Sequence, residues 1–245
     1  MAVPVMAWIG KKIQATLTNA NESNKMKHNL IPFTPTNIQS FFTCPYQYFG
    51  KFIAKETKYT ETPHTKFGKE VHKNIEDYLN GDAQLSSYLE PMREMLDSAK
   101  PVMIGAETKM AITKWNTLCR SFFDKDAYLR CIVDLVLGNE DHTKIIAFDW
   151  KTGKKSDAQV QHDVIKRCLN IKYPKADIVT IFLYIVKDDV DIQIYQNGQN
   201  LLDLDNKIAK IEAAHRTGEF PYNPNGLCKK WCDVLSCPHN GKNDE

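Results

Sequence analysis

The sequence has no apolar run approaching the roughly 18 to 20 residues that a helix needs to cross a bilayer, so no membrane span is expected. Its charge is nearly balanced, with a formal net charge of +2 from 32 basic and 30 acidic residues, which leaves no chain-wide field to draw in a polyanion. Any nucleic-acid binding must come from local patches. There is no G-x-x-x-x-G-K-[ST] loop, so the chain carries no motor built on that phosphate cradle. Nor is there a disulfide framework: the seven cysteines are odd in number and unevenly spaced, which fits a reducing compartment. The opening MAVPVMAWIGKKIQ is apolar before it is charged, the reverse of a secretory signal, and a cytosolic protein is the expectation.

What is present fits one substantial domain: 245 residues, 42% hydrophobic and 25% charged. Residues 1–30 join a short apolar start to the polar run TNANESNKMKHN and read as an arm or linker before a domain over 31–245. Thr34 followed by Pro35 predicts a helix start, with Ile38, Phe41, Phe42, Tyr46, Phe49, Phe52 and Ile53 forming a stripe that Cys44-Pro45 interrupts. A second helix is expected from about His64 to Leu79, closed by Gly81, and an amphipathic one over Leu85–Ala99 with Pro91 inside it. Alternation then predicts a strand over Met103–Trp115, followed by strands at Tyr128–Leu137 and Ile145–Lys151 joined by a polar turn. A helix over Ser156–Leu169 capped by Ser156, a strand pair at Asp177–Val186 and Val190–Tyr195 turning at Lys187-Asp188-Asp189, and a helix over Leu201–His215 complete the chain.

The chemistry concentrates in YLRCIVDLVLGNEDHTKIIAFDWKTGKK, Tyr128 to Lys155. Each strand of this hairpin carries a carboxylate where an aliphatic residue would be usual. Folding it about its turn sets Asp134 nearly opposite Asp149, and the period of two puts Lys151 on the face of Asp149. Two half-buried carboxylates repel unless a hard cation such as Mg²⁺ or Mn²⁺ sits between them. The plainer alternative is an exposed sheet face on which Lys151 pairs with one of the acids.

LRCIVDLVLG, a turn, and IIAFDWKTGK resemble the core of the PD-(D/E)XK nuclease superfamily, and DWKTG with a following helix resembles its RecB-like branch. The resemblance runs from about Pro35 to Asn240. It implies an α/β fold with a central mixed β-sheet flanked by helices, an N-terminal helical part and a C-terminal metal-binding tail. It implies metal-dependent hydrolysis of DNA, with Asp134 and Asp149 holding one or two Mg²⁺ or Mn²⁺ ions, and His72 and the Trp150 carbonyl completing the coordination. Lys151 would position or deprotonate the attacking water, and Glu107 would bind a second ion or orient water. Phe67-Gly68-Lys69-Glu70-Val71-His72 resembles the branch's G-x-x-x-H element. The branch's Q-x-x-x-Y is only half present, since Gln161 is followed four residues later by Ile165.

Phosphate contacts are expected from Lys154, Lys155, Lys166 and Arg167, with Gln161 on the same strand of DNA and Lys66, Lys69 and Lys73 bordering the groove. Tyr46, Tyr48 and Phe49 are candidates for stacking on bases, although core packing is the better account of most of them. The functional expectation is an exonuclease acting on DNA ends or single strands in recombination, repair or phage genome processing, alone or with a helicase or recombination partner, in a bacterial or phage-infected cell. A non-cleaving DNA-binding or assembly subunit of the same fold, or a structure-specific endonuclease, are the alternatives.

Cys119, Cys131 and Cys168 stand within apolar patterns and read as small core residues. Cys228, Cys232 and Cys237 instead crowd the tail, residues 226–240, as a metal-site pattern lacking its fourth ligand. In the RecB-like branch one cysteine in a Cys-Pro context joins three C-terminal ones around a 4Fe-4S cluster. Cys44 and the tail trio match that arrangement, with C-x3-C-x4-C here against the usual C-x2-C-x5-C. Zinc, with His239 or Cys44 as fourth ligand, and free thiols are the other readings.

Overall fold

The computed structural model describes residues 26–186, 189–196 and 201–244. The arm over residues 1–25 and the turn at residues 187–188 lie outside them. Five strands form one mixed sheet in the order β1-β2-β3-β4-β5: β1 (Met103–Ile112), β2 (Leu129–Gly138), β3 (Lys144–Lys151), β4 (Asp177–Val186) and β5 (Asp189–Tyr195). Only β3 and β4 run parallel, because the helix α5 (Gln159–Lys172) carries the chain over the sheet between them. The other neighbours are antiparallel.

Helices cover both faces. On one lie α5, α1 (Pro35–Thr43) and α6 (Leu201–Thr217), whose Ile38, Val164, Ile165, Leu169, Leu204 and Ile208 pack with Val133, Val136, Ile145 and Ala147 of the sheet. On the other, α3 (Pro63–Asn80) and the following turns bring Val71, Ile75, Leu79, Leu89 and Leu96 against Leu135, Leu137, Phe148 and Trp150. Each fully buried aliphatic chain in these layers contributes about 1.5–3 kcal/mol, so two opposed cores hold the sheet between them.

The helix signals work as the chemistry predicts. Thr34 caps α1 and Thr62 caps α3, each with Pro at the first turn, and Gly81 ends α3 in a left-handed conformation, φ 83°. After α1, Cys44 is extended and the chain restarts as the single turn α2 (Pro45–Tyr48), running into a π-helical turn at Phe49–Ile53. The expected continuous helix over Leu85–Ala99 is broken: Pro91 sits in a 3₁₀ segment, Ser87–Met92, before α4 (Arg93–Ala99). The helix expected from Ser156 begins only at Gln159, because the Ser156 amide and carbonyl are both engaged by the Tyr184 hydroxyl. At the other end, Lys27 and His28 donate backbone hydrogen bonds to the His215 carbonyl, so packing on the body begins before Ile31.

Candidate active site

The sheet is split where its acids stand. The β2–β3 ladder runs from Gly138↔Ile145 to Leu135↔Phe148 and stops. The next position in that register would pair Asp134 with Asp149, and there the Trp150 amide donates instead to Asp134 Oδ2 at 2.6 Å. From this point β2 follows β1, β3 follows β4, and a cleft of about 510 Å³ opens between them.

The β1–β2 register carries the row one strand further. Glu107 falls opposite Asp134, between the pairs Ala106↔Leu135 and Thr108↔Val133. Glu107 takes a left-handed backbone, φ 45°, which costs a non-glycine residue about 1–3 kcal/mol. Face alternation along β2 also changes here, with Cys131 and Val133 in one core and Leu135 and Leu137 in the other. Three carboxylates on three neighbouring strands thus stand in one row, turned toward the split rather than into either core.

Because the row sits in the split, groups from both helical layers reach it. From α3, His72 places Nε2 at 3.0 Å from the Trp150 carbonyl oxygen, and Nδ1 at 3.2 Å from Asp134 Oδ1 and 3.8 Å from Glu107 Oε1. A ring with acceptors at both nitrogens is satisfied only as the imidazolium, which donates at both. Burial pulls its pKa down, but hydrogen bonds to Asp134 and Glu107 outweigh that and raise it to about 10. From α5, the Gln161 amide donates to Asp149 Oδ1 while its oxygen accepts from Lys151 Nζ at 2.6 Å. Lys151 Nζ stands 2.6 Å from Asp149 Oδ2, but that buried oxygen accepts no aligned hydrogen bond. Burial first, and the Asp134 charge second, raise the Asp149 pKa to about 6.

Two cations, His72 and Lys151, therefore face three carboxylates. Among the described residues, His72, Glu107 and Asp134 offer ligand atoms all within 4.8 Å of one another, a spacing that one cation can bridge. His72 and Glu107 also line a second cleft of about 690 Å³ with His64, Lys69, Lys73, Thr152 and Gly153. The row of acids thus lies where two grooves meet.

The basic residues expected on phosphate fare differently. Lys154 is exposed just beyond β3. Lys155 is exposed but paired with Asp191 at 3.0 Å, and Arg167 makes a two-pronged pair with Asp205. Lys166 is corrected: it is 8% exposed, its ammonium directed at the Gln196 carbonyl, and it cannot present charge to a backbone outside. Lys66, Lys69 and Lys73 pair with Glu70, Glu61 and Asp77 on the rim. Tyr48 is buried with its hydroxyl on His215, and Phe49 packs against Phe220, so neither is a stacking surface. Gln161 is drawn into the acid–lysine pair, with both ends of its amide engaged there. Sequence reasoning passed over Phe122, Arg130 and the Thr34–Thr36 turn, which also line the cleft. The Phe122-Phe123 pair in a loop between two strands was the available signal.

The four remaining thiols converge away from this site. Cys44, at the break between α1 and α2, and Cys228, Cys232 and Cys237 line one small cavity with Tyr46, Leu227 and Val234. The tail is fastened there by the Asn223 and Asn225 side chains on the Thr43 carbonyl, and by Tyr46 N–H on the Pro221 carbonyl. A Cβ on Gly50 would lie 2.6 Å from Val234, so only glycine lets the π-helical turn and the tail approach this closely. Burial raises the Cys237 pKa. Cys131 and Cys168 are core residues, as expected.

A family model described as the PD-(D/E)XK nuclease superfamily matches residues 32–238. No curated protein matches. Among solved structures, the crystal structure of SSO0001 aligns over 98% of this chain and 98% of its own, at 13% sequence identity and a TM-score of 0.46.

Proposed function

The chain belongs to the PD-(D/E)XK nuclease superfamily, and from that membership we propose that it is a Mg²⁺- or Mn²⁺-dependent deoxyribonuclease, an exonuclease of the RecB-like kind acting on DNA ends or single strands. The observation that carries this reading is the row Glu107–Asp134–Asp149 beside Lys151. Three acids so close are strongly unfavourable without cations, and a sheet with no use for them would fill the split with aliphatic side chains.

Asp134, Asp149, Glu107, His72 and the Trp150 carbonyl would hold the ion, and the oxygen-rich donor set suits a hard divalent cation. When bound, such an ion neutralises phosphate charge and lowers the pKa of water. The chain's own groups do the rest. Lys151 presents its ammonium to the phosphate and holds the attacking water near Asp149. Gln161 fixes Lys151 and Asp149 relative to each other, and the Asp134 bond to the Trp150 amide keeps the split open. Lys154 and the rim lysines would meet the phosphates on either side.

At the tail, four thiols around one cavity, three of them buried and with no carboxylate among them, suit a thiolate-bound metal, and we assign it as a 4Fe-4S cluster. Zinc, which forms Zn–S bonds of about 2.3 Å, is the alternative occupant. The role of the metal would be structural, tying residues 226–240 to the first helices within a single nuclease domain over 31–245. The setting would be the cytoplasm of a bacterial or phage-infected cell, in recombination, repair or phage genome processing, with any motor supplied by a partner.

End-labelled single- and double-stranded DNA, with Mg²⁺, Mn²⁺ or EDTA, tests the reading. Cleavage that depends on metal and disappears in Asp149→Ala and Lys151→Ala is expected, and the product ladder separates exonuclease from endonuclease. Normal cutting by either variant would overturn the assignment. Absence of cutting by the folded, tail-loaded wild type would point to a DNA-binding subunit.

A further inference from the structure

Between β1 and β2 the chain makes a loop over residues 113–128 in which Trp115, Phe122 and Phe123 belong to neither core. Phe123 is 79% exposed and Trp115 84%, while Phe122 lines the cleft that holds Asp134, Asp149 and Lys151. The Arg130 guanidinium lies 5.5 Å from the Phe122 centroid and 5.7 Å from that of Phe123, and Arg130 lines the same cleft. Its Nη2 donates to the Asp124 carbonyl at 3.3 Å, but its buried Nε has no hydrogen-bond partner, and no ion pair joins it to a carboxylate among the described residues.

The loop is built to hold this shape. Thr113 and Cys119 close it against β1 through backbone bonds to Thr117 and Ala111. The Asp124 carboxylate accepts from the Arg120 and Asp126 amides. Two rings meeting edge to face at 87°, one half-buried in the cleft wall and one facing out, are thus presented on a fixed arm with a cation against them.

We propose that Phe122, Phe123 and Arg130 form a base-stacking wall that selects single-stranded over duplex nucleic acid. An unpaired base can lay its face on Phe123, whereas the bases of a duplex have theirs covered by neighbours. Arg130 then contributes a cation to the stack and a donor to the adjoining phosphate, and the strand runs from this wall to the row of acids. The proposal rests on the nuclease reading and names the strand form that site would take.

Phe123→Ala and Phe123→Tyr, at a side chain too exposed to matter to folding, provide the test. With a single-stranded oligonucleotide, Phe123→Ala should raise KM about 10-fold with kcat nearly unchanged, within the range that stacking one base contributes. Phe123→Tyr should restore it, and duplex cleavage should not respond. An oligonucleotide with abasic sites opposite the wall should be cut equally by all three proteins. The same ranking should appear as Kd in fluorescence anisotropy on a cleavage-dead Asp149→Asn background. An unchanged KM and Kd, an equal loss on duplex, or a loss that persists on abasic DNA would each overturn the wall. If the wild type cuts nothing, the nuclease reading fails by itself, and the anisotropy arm still decides the wall.

Discussion

Replacing Asp149 by Asn should make the metal-free protein more stable while ending its capacity to cut. Asp149 is 4% exposed, and its pKa is raised from 3.8 to about 6 by burial and then by the Asp134 charge. The folded state therefore binds this proton more tightly than the unfolded chain does. The wild type loses stability as pH rises from about 4 to about 6, and above that range it bears the full cost of a buried charge. Two pKa units at about 1.4 kcal/mol each come to about 3 kcal/mol. The amide removes that cost, from which the Lys151 attraction has already been subtracted, but sets its NH2 donor toward the Lys151 ammonium, which stays half-solvated and bonded to Gln161. A net gain of about 1–2 kcal/mol remains, or about 3–6 °C in Tm for a chain of this size. Thermal unfolding in EDTA between pH 4 and pH 8 measures it. The Tm difference should be small at pH 4 and full above pH 7, and should reverse when Mn²⁺ is added, because only the wild type gains from binding the ion. A variant less stable than the wild type at pH 8 in EDTA, or a difference that ignores pH, would refute the reasoning.

The raised pKa of His72, about 10 against 6.5, means its ionic stabilisation is complete below pH 6.5 and is lost as pH rises through 10. If His72 ligates the ion, Mn²⁺ uptake at pH 8 should release about one proton, visible in calorimetry as a heat that varies with the buffer's ionisation enthalpy; no release would remove His72 from the ligand set. Gln161→Ala should leave Tm nearly unchanged and lower cleavage about 10- to 100-fold, because Lys151 and Asp149 lose the amide that fixes them; full activity would show that the bridge is incidental. Lys154→Ala should reduce the salt dependence of DNA binding by about one unit while Lys166→Met leaves it unchanged, and the opposite order in a salt titration would contradict the burial of Lys166. Gly50→Val should cost about 1–3 kcal/mol and empty the cysteine site by displacing Val234; unchanged Tm and metal content would show that the tail is not seated as described.

No described helix is long and apolar enough to cross a membrane, and the strand and helix boundaries follow their sequence signals closely at α1, α3, β2 and β3, whereas β1 ends at Ile112 rather than Trp115. Pro91 breaks one expected helix locally, and at the start of α5 a long-range partner decided. Ser156 is a good cap by type, but the Tyr184 hydroxyl, 28 residues away, occupies its backbone. Lys166 and Arg167 are adjacent and alike in sequence, yet the turn of α5 buries one and gives the other to Asp205.

The sequence by itself brought Asp134, Asp149 and Lys151 together, through period-two patterning about one turn, and marked Cys228, Cys232 and Cys237 by their residue type and spacing. Both are local properties, and local rules read them; Cys44 joined the trio only through the resemblance to a known family. Tertiary structure alone decided how those groups are used. The β2–β3 split is a failure of pairing, and no propensity marks where a ladder stops. The left-handed turn at Glu107 brings a third acid into register, His72 and Gln161 arrive from opposite layers to neutralise and fix the row, and the Phe122–Arg130 wall stands beside it. Each depends on elements distant in sequence being packed to within a few ångströms, which is a property of the two cores that hold the sheet.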